Sequence, residues 1–159
     1  FFKGVAIHDL EEDELANYRS KNVGIIFQSF NLLPSMTALE NVNLPNQISG
    51  ALIDDKKGIE LLKSVGLKNR LNHYPHQLSG GEQQRVAIAR SLISSPEIII
   101  ADEPTGNLDK RNSEEVMKLI FKLQSDFAST LILVTHDETI AKQCNKIIKL
   151  DNGLIVKDE

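Results

Sequence analysis

Three short apolar runs interrupt an otherwise mixed chain: Val23-Gly24-Ile25-Ile26-Phe27, Ile98-Ile99-Ile100-Ala101 and Thr130-Leu131-Ile132-Leu133-Val134. Each is continuous and rich in branched residues, the pattern of a strand buried on both faces. Between the last two, Ser113 to Gln124 repeats its apolar residues at helical spacing, with Val116, Ile120 and Leu123 on one face. Strand, helix and strand in that order predict a parallel sheet. The stretch from Leu32 to Gln77 differs: Pro34, Pro45, Gly50 and Gly66 punctuate amphipathic pieces such as Lys57 to Val65. It predicts a small helical subdomain, residues 32–77, inserted into a core built from residues 1–31 and 78–159. Near the end, Lys146 to Leu150 and Leu154 to Val156 flank Asp151-Asn152-Gly153, a hairpin signal.

Each apolar run ends in a polar cluster: Gln28-Ser29, Asp102-Glu103 and Thr135-His136-Asp137. Open parallel sheets bind ligands beyond the carboxyl ends of their strands, so these three ends should converge on one place.

Composition narrows the partners. With 159 residues, 41% hydrophobic and 25% charged, the chain has material for one core and for no second full domain. A formal net charge of −4 offers no global basic surface for a phosphate backbone, which argues against a nucleic-acid partner. Cys144 is the sole cysteine and forms no intrachain disulfide; it falls in a stretch read as helix and is expected to be a buried, inert thiol. No apolar run reaches the roughly 18 residues of a membrane-spanning helix, so any membrane anchor comes from another polypeptide. The opening Phe1-Phe2-Lys3-Gly4 lacks an initiator methionine and fits a piece of a longer chain.

Four segments carry chemistry. In Leu78-Ser79-Gly80-Gly81-Glu82-Gln83-Gln84-Arg85, Ser79 and Glu82 match a capping box, which needs no ligand. Two consecutive glycines, however, leave bare N–H groups at a helix N-terminus, a good anion site. Ile98 to Glu103 is an apolar strand ending in two carboxylates, followed by Pro104-Thr105-Gly106-Asn107-Leu108-Asp109. That suits magnesium-dependent phosphoryl transfer, although acids, proline and glycine also simply make turns. His136 at a strand end could donate to a terminal phosphate, or only cap and pack. Gln28 is uninformative alone.

In this order, the segments resemble the nucleotide-binding domain of ATP-binding cassette proteins. Leu78 to Arg85 looks like the family signature, Ile98 to Glu103 its Walker B strand, Asn107-Leu108-Asp109 its D-loop, His136 its switch histidine and Gln28 its Q-loop glutamine. Phe27 to Pro34 and Thr37 to Val42 are similar to the bacterial lipoprotein-release and macrolide-export ATPases. The resemblance implies a P-loop NTPase-like α/β fold, a mainly parallel sheet flanked by helices with an inserted helical subdomain. It also implies Mg-ATP as ligand, with Asp102 and Gln28 on the metal and Glu103, His136 and Gln28 catalytic. Ser79, Gly80, Gly81, Glu82, Asn107 and Asp109 would contact nucleotide, with Ser79 and Gly81 reaching the ATP of a second cassette packed head to tail. A transmembrane permease would be the other partner, placing the protein in the cytoplasm on the inner face of the membrane.

No G-x-x-x-x-G-K-[ST] run occurs in the chain, nor the aromatic residue that stacks on adenine in the family. Both belong upstream of Phe1, so the expectation is a truncated cassette whose N-terminal strands and phosphate loop are missing. Residues 1–159 alone should then be inactive and poorly stable. The alternative is a non-transport relative serving DNA repair, chromosome maintenance or translation. Long coiled coils would separate the two halves of a chromosome-maintenance ATPase, and only about fifty residues without sustained heptads lie between Gln28 and Ser79 here.

Overall fold

A computed structural model describes residues 1–51 and 54–158; residues 52, 53 and 159, which the domain division of the sequence includes, lie outside them. The three apolar runs form one parallel sheet of strands β1 (Val23–Phe27), β2 (Ile98–Asp102) and β3 (Thr130–Val134), with β2 in the centre. The register aligns Phe27 with Asp102 and Asp102 with Val134. The residues that follow, Gln28, Glu103 and Thr135, therefore leave the sheet side by side.

Among the described residues, six α-helices accompany the sheet: α1 (Glu12–Asn22), α2 (Ala38–Ile48), α3 (Asp55–Ser64), α4 (Gly80–Ser91), α5 (Lys110–Asp126) and α6 (Glu138–Ala141). A hairpin of β4 (Ile148–Asp151) and β5 (Leu154–Asp158) follows. Asn152 and Gly153 turn it at φ of 49° and 79°, the positive pair that a two-residue hairpin turn requires.

One core joins the layers. Ile26, Ile99 and Ala101 of the sheet cluster with Val86, Ile88 and Ala89 of α4 and with Val116, Ile120 and Leu123 of α5. Val42 of α2 and Leu61 and Leu62 of α3 belong to the same cluster, so α2 and α3 pack on α4.

Three expectations are corrected. The strands are covered on one face only: Ile25, Ile132 and Val134 on the other are 37, 47 and 50% exposed, because α4 and α5 both pack on the Ile26–Ile99 side. Pro45 does not break the chain but lies inside α2. It sits in the last turn, where only one helical hydrogen bond is lost. Cys144 lies past α6 in a bend and is half-buried, with burial pushing its thiol pKa up.

Polar side chains at helix starts carry much of the local order. Thr37, Ser79, Asp109 and Asp137 cap α2, α4, α5 and α6 through hydrogen bonds from main-chain N–H groups. The Thr37 and Ser79 main-chain N–H groups hold the Glu40 and Glu82 carboxylates below their ordinary 4.5, and those of Asn112 and Thr139 hold Asp109 and Asp137 below 3.8. A carboxylate whose folded pKa is depressed contributes stability above its unfolded pKa and loses it as pH falls through the folded value. The thermal midpoint should therefore be flat near neutrality and drop on acidification below about pH 4.5. Glu82→Gln should flatten part of that drop in a pH series of melting curves; a midpoint that rises on acidification would contradict it.

Candidate functional site

Three strand ends build the site. Glu103, directly after β2, takes φ of 43°, a left-handed conformation that costs a non-glycine residue about 1–3 kcal/mol and persists only where its surroundings impose it. They do so at three points: its N–H donates to the Val134 carbonyl (3.0 Å), and its carbonyl accepts from Gly106 (3.0 Å). Its carboxylate accepts from the His136 main-chain N–H (2.9 Å) and pairs with the His136 ring at Nδ1 (2.6 Å). An ionised carboxylate only accepts, so Nδ1 carries the proton in that pair. Both contacts fall on Oε1, which leaves Oε2 for another partner.

Gln28 is held by Asn107. Asn107 donates to the Gln28 carbonyl (3.0 Å), and the Gln28 amide nitrogen donates back to Asn107 Oδ1 (3.4 Å). Gly106 is necessary to this bracket, since a Cβ there would lie 2.6 Å from the Gln28 side-chain nitrogen. With its nitrogen engaged, Gln28 keeps its amide oxygen for a cation or a water. Asp102 is exposed at the end of β2, paired in register with Phe27. No group of three or more acidic, histidine or cysteine side chains among the described residues forms a cation cage. One carboxylate and one amide oxygen do fit Mg²⁺ arriving with phosphates and waters, the usual donor set for that ion beside a nucleotide.

The remaining candidates form a second group. Ser79 accepts from the Glu82 N–H (3.3 Å), and the Glu82 carboxylate accepts from Ser79 (2.9 Å), so the capping box is realised. Arg70 also pairs with Glu82 at 3.0 Å. Gly80 and Gly81 open α4 beside Leu108, Phe30 and Asn112; a Cβ at Gly81 would come within 2.8 Å of Asn112 Oδ1. Asp109 caps α5 rather than pointing at the strand ends. Among the described residues, no hydrogen bond joins Ser79, Glu82 or Asp109 to Asp102, Glu103 or His136.

Two residues that the sequence reading did not single out tie the groups together. Arg90, on the last turn of α4, donates to the carbonyls of Asn31 (2.5 Å) and Phe30 (2.7 Å). Both of those residues have positive φ, and burial lowers the Arg90 pKa. Gln84 is fully buried beneath the strand ends.

The ABC transporter family matches residues 2–106. The chain belongs to the ABC transporter family. Relatives within it include a macrolide export ATP-binding/permease protein, MacB, of Bdellovibrio bacteriovorus, 49% identical over 156 residues, which span 98% of this chain and 24% of MacB. The ABC transporter ATP-binding protein YbbA of Escherichia coli is 44% identical over 157 residues, 98% of this chain and 69% of YbbA. A solved structure of the cassette MJ0796, a dimer in a post-hydrolysis state bound to ADP and Pi, aligns with a TM-score of 0.82 and 44% identity over 95% of this chain and 68% of that one. The P-loop NTPase-like α/β fold expected from the ABC resemblance is thereby established. The DNA-repair and translation-associated alternatives are not favoured. No described helix is long and apolar enough to cross a membrane.

Proposed function

We propose that the chain is the ATP-hydrolysing part of an ABC transporter, coupling Mg-ATP binding and hydrolysis to movement of a substrate through a partner permease. The carrying observation is the register-matched exit of Gln28, Glu103 and the Thr135-His136 turn from three parallel strands, with Glu103 held by His136 at 2.6 Å. In this reading the free Oε2 of Glu103 orients the attacking water and takes its proton. His136 faces the terminal phosphate through Nε2, which donates there only as imidazolium, because Nδ1–H is already given to Glu103. Asp102 and the Gln28 amide oxygen hold Mg²⁺, which offsets the charge developing on the phosphoryl oxygens.

The second group serves a second cassette. Ser79, Gly80 and Gly81 present the N-terminus of α4 and share no hydrogen bond with the Glu103 group, as expected if they close over ATP held by another copy. The positive end of the helix and its bare N–H groups suit a phosphate. Here Glu82, Asn107 and Asp109 order the edges of the nucleotide site rather than grip phosphate. The helical insert, residues 32–77, together with the loop after Gln28, meets a membrane permease, so the protein sits on the cytoplasmic face of the membrane. The relation to MacB, whose name joins ATP-binding and permease parts, supports an exporter or extraction system.

Phosphate release tests this reading. The full-length protein with its permease should hydrolyse ATP in the presence of Mg²⁺ and stop when EDTA removes the metal. Residues 1–159 alone should release no phosphate, since they hold no G-x-x-x-x-G-K-[ST] loop to grip the β- and γ-phosphates. Sustained magnesium-dependent release from the pure 159-residue chain would overturn that part, and no release from the full-length protein would overturn the whole.

A further inference from the structure

Gln84 lies on α4, five residues after Ser79, and its side chain has no solvent exposure. Its Nε2 donates to the carbonyl of Pro104 at 2.6 Å and to that of Phe27 at 3.4 Å. The Phe27 carbonyl belongs to the peptide that enters Gln28. The Pro104 carbonyl belongs to the peptide just past Glu103. A single amide nitrogen, carried on a third element, thus links the main chain beside Gln28, proposed to hold Mg²⁺, to that beside Glu103, proposed to act on the water.

Packing does not account for a glutamine there. Its Oε1 is buried without a hydrogen-bond partner, a desolvation cost that an apolar side chain of similar shape would avoid. What a leucine or methionine cannot supply is the donor. Both segments that Gln84 ties down also contain left-handed non-glycine residues, Phe30 and Asn31 after β1 and Glu103 after β2. Such conformations relax unless the surrounding structure holds them.

We propose that Gln84 is a positioning residue: its Nε2 sets the spacing of Gln28 and Glu103 and ties that spacing to α4, the helix that Ser79 caps. A displacement of about 1 Å between reacting groups lowers turnover about 10²-fold, so a two-point tether of this kind governs turnover rather than nucleotide affinity. The inference rests on the hydrolytic reading of Glu103 given above.

Two variants of the full-length protein test it. Gln84→Met keeps the volume and removes the donor; kcat should fall by at least about tenfold with KM for ATP within about twofold. Amide hydrogen exchange should quicken at 27–31 and 105–107 while the centre of α5 is unchanged. Gln84→Glu places a carboxyl against two carbonyls, where burial raises its pKa and only the protonated form donates. Its kcat should therefore climb towards wild type as pH is lowered from about 8 to about 6, unlike that of Gln84→Met. Wild-type kcat and exchange in Gln84→Met would overturn the proposal. So would a kcat loss no larger than the loss of folded protein together with a wild-type pH profile in Gln84→Glu. Should Gln84→Met not fold, the pH profile of Gln84→Glu decides. If the unmodified protein hydrolyses no ATP, the hydrolytic reading fails, and the exchange pattern still shows whether Gln84 holds both segments.

Discussion

Glu103→Gln in the full-length protein is expected to lower magnesium-dependent ATP turnover by about 10²–10⁴-fold, the range of general-base catalysis, while ATP binding changes by less than about threefold. The expectation follows from what the substitution leaves in place. Oε1 of Glu103 accepts from the His136 main-chain N–H at 2.9 Å and faces Nδ1 at 2.6 Å, and a glutamine oxygen can accept both hydrogen bonds. The left-handed backbone at position 103, the Val134 contact and the His136 orientation should all survive. Only the second oxygen is lost as a proton acceptor, replaced by an amide that donates. A single-turnover measurement separates the outcomes. Binding kept and phosphate release lost assigns the proton to Glu103. Normal turnover removes it from that role, and a parallel loss of binding and turnover makes it a structural residue. In the variant, nucleotide should remain bound and hold two cassettes together, read as an ATP-dependent rise in dimer by light scattering.

Why Glu103 and His136 were visible in the sequence and Gln84 and Arg90 were not has a physical answer. Strand ends announce themselves: a continuous branched run such as Ile98 to Ala101 stops where carboxylates begin, and three such ends in parallel strands can only lie together. Residue type then makes Glu103 a candidate proton acceptor and His136 a candidate phosphate donor, roles that the family resemblance assigns. Gln84 and Arg90 act on carbonyls of Phe27, Pro104, Phe30 and Asn31, main-chain atoms that any residue would offer. Nothing in side-chain identity marks such a partner at long sequence separation. Asn107 shows the converse: read as a nucleotide contact, it is spent in this structure on the Gln28 backbone. Helix α1 was equally hidden. Its residues Glu12 to Asn22 are almost all polar, and it rests on a capping box between Glu11 and Glu14 and an edge contact of Tyr18 with Phe2, not on an apolar stripe.

Gly24→Ala, a change of one methyl group, should cost about 3 kcal/mol or more, the upper end of overpacking, and so a large fraction of the 5–15 kcal/mol that holds a typical domain. A Cβ at position 24 would lie 2.2 Å from the carbonyl oxygen of Ser91 and 3.1 Å from the Pro96 ring. The first of these is main chain at the end of α4 and cannot rotate away. Relief requires β1 and α4 to separate, and that seam carries Ile26 against Val86 and Ile88 as well as the Gln84 tether. Gly66 supplies the control. It stands at φ of 80° after α3, where its N–H donates to Lys63 and the Leu67 N–H to Leu62, the left-handed helix end that favours glycine. A Cβ there meets nothing within 4 Å. Gly66→Ala should therefore cost only the backbone strain, about 1–2 kcal/mol. Urea midpoints of the two variants, at unchanged slope, compare a steric cost with a conformational one. Equal midpoints would mean that α4 yields at Ser91, and the close approach of strand and helix would lose its standing as the reason a glycine occupies the second position of β1.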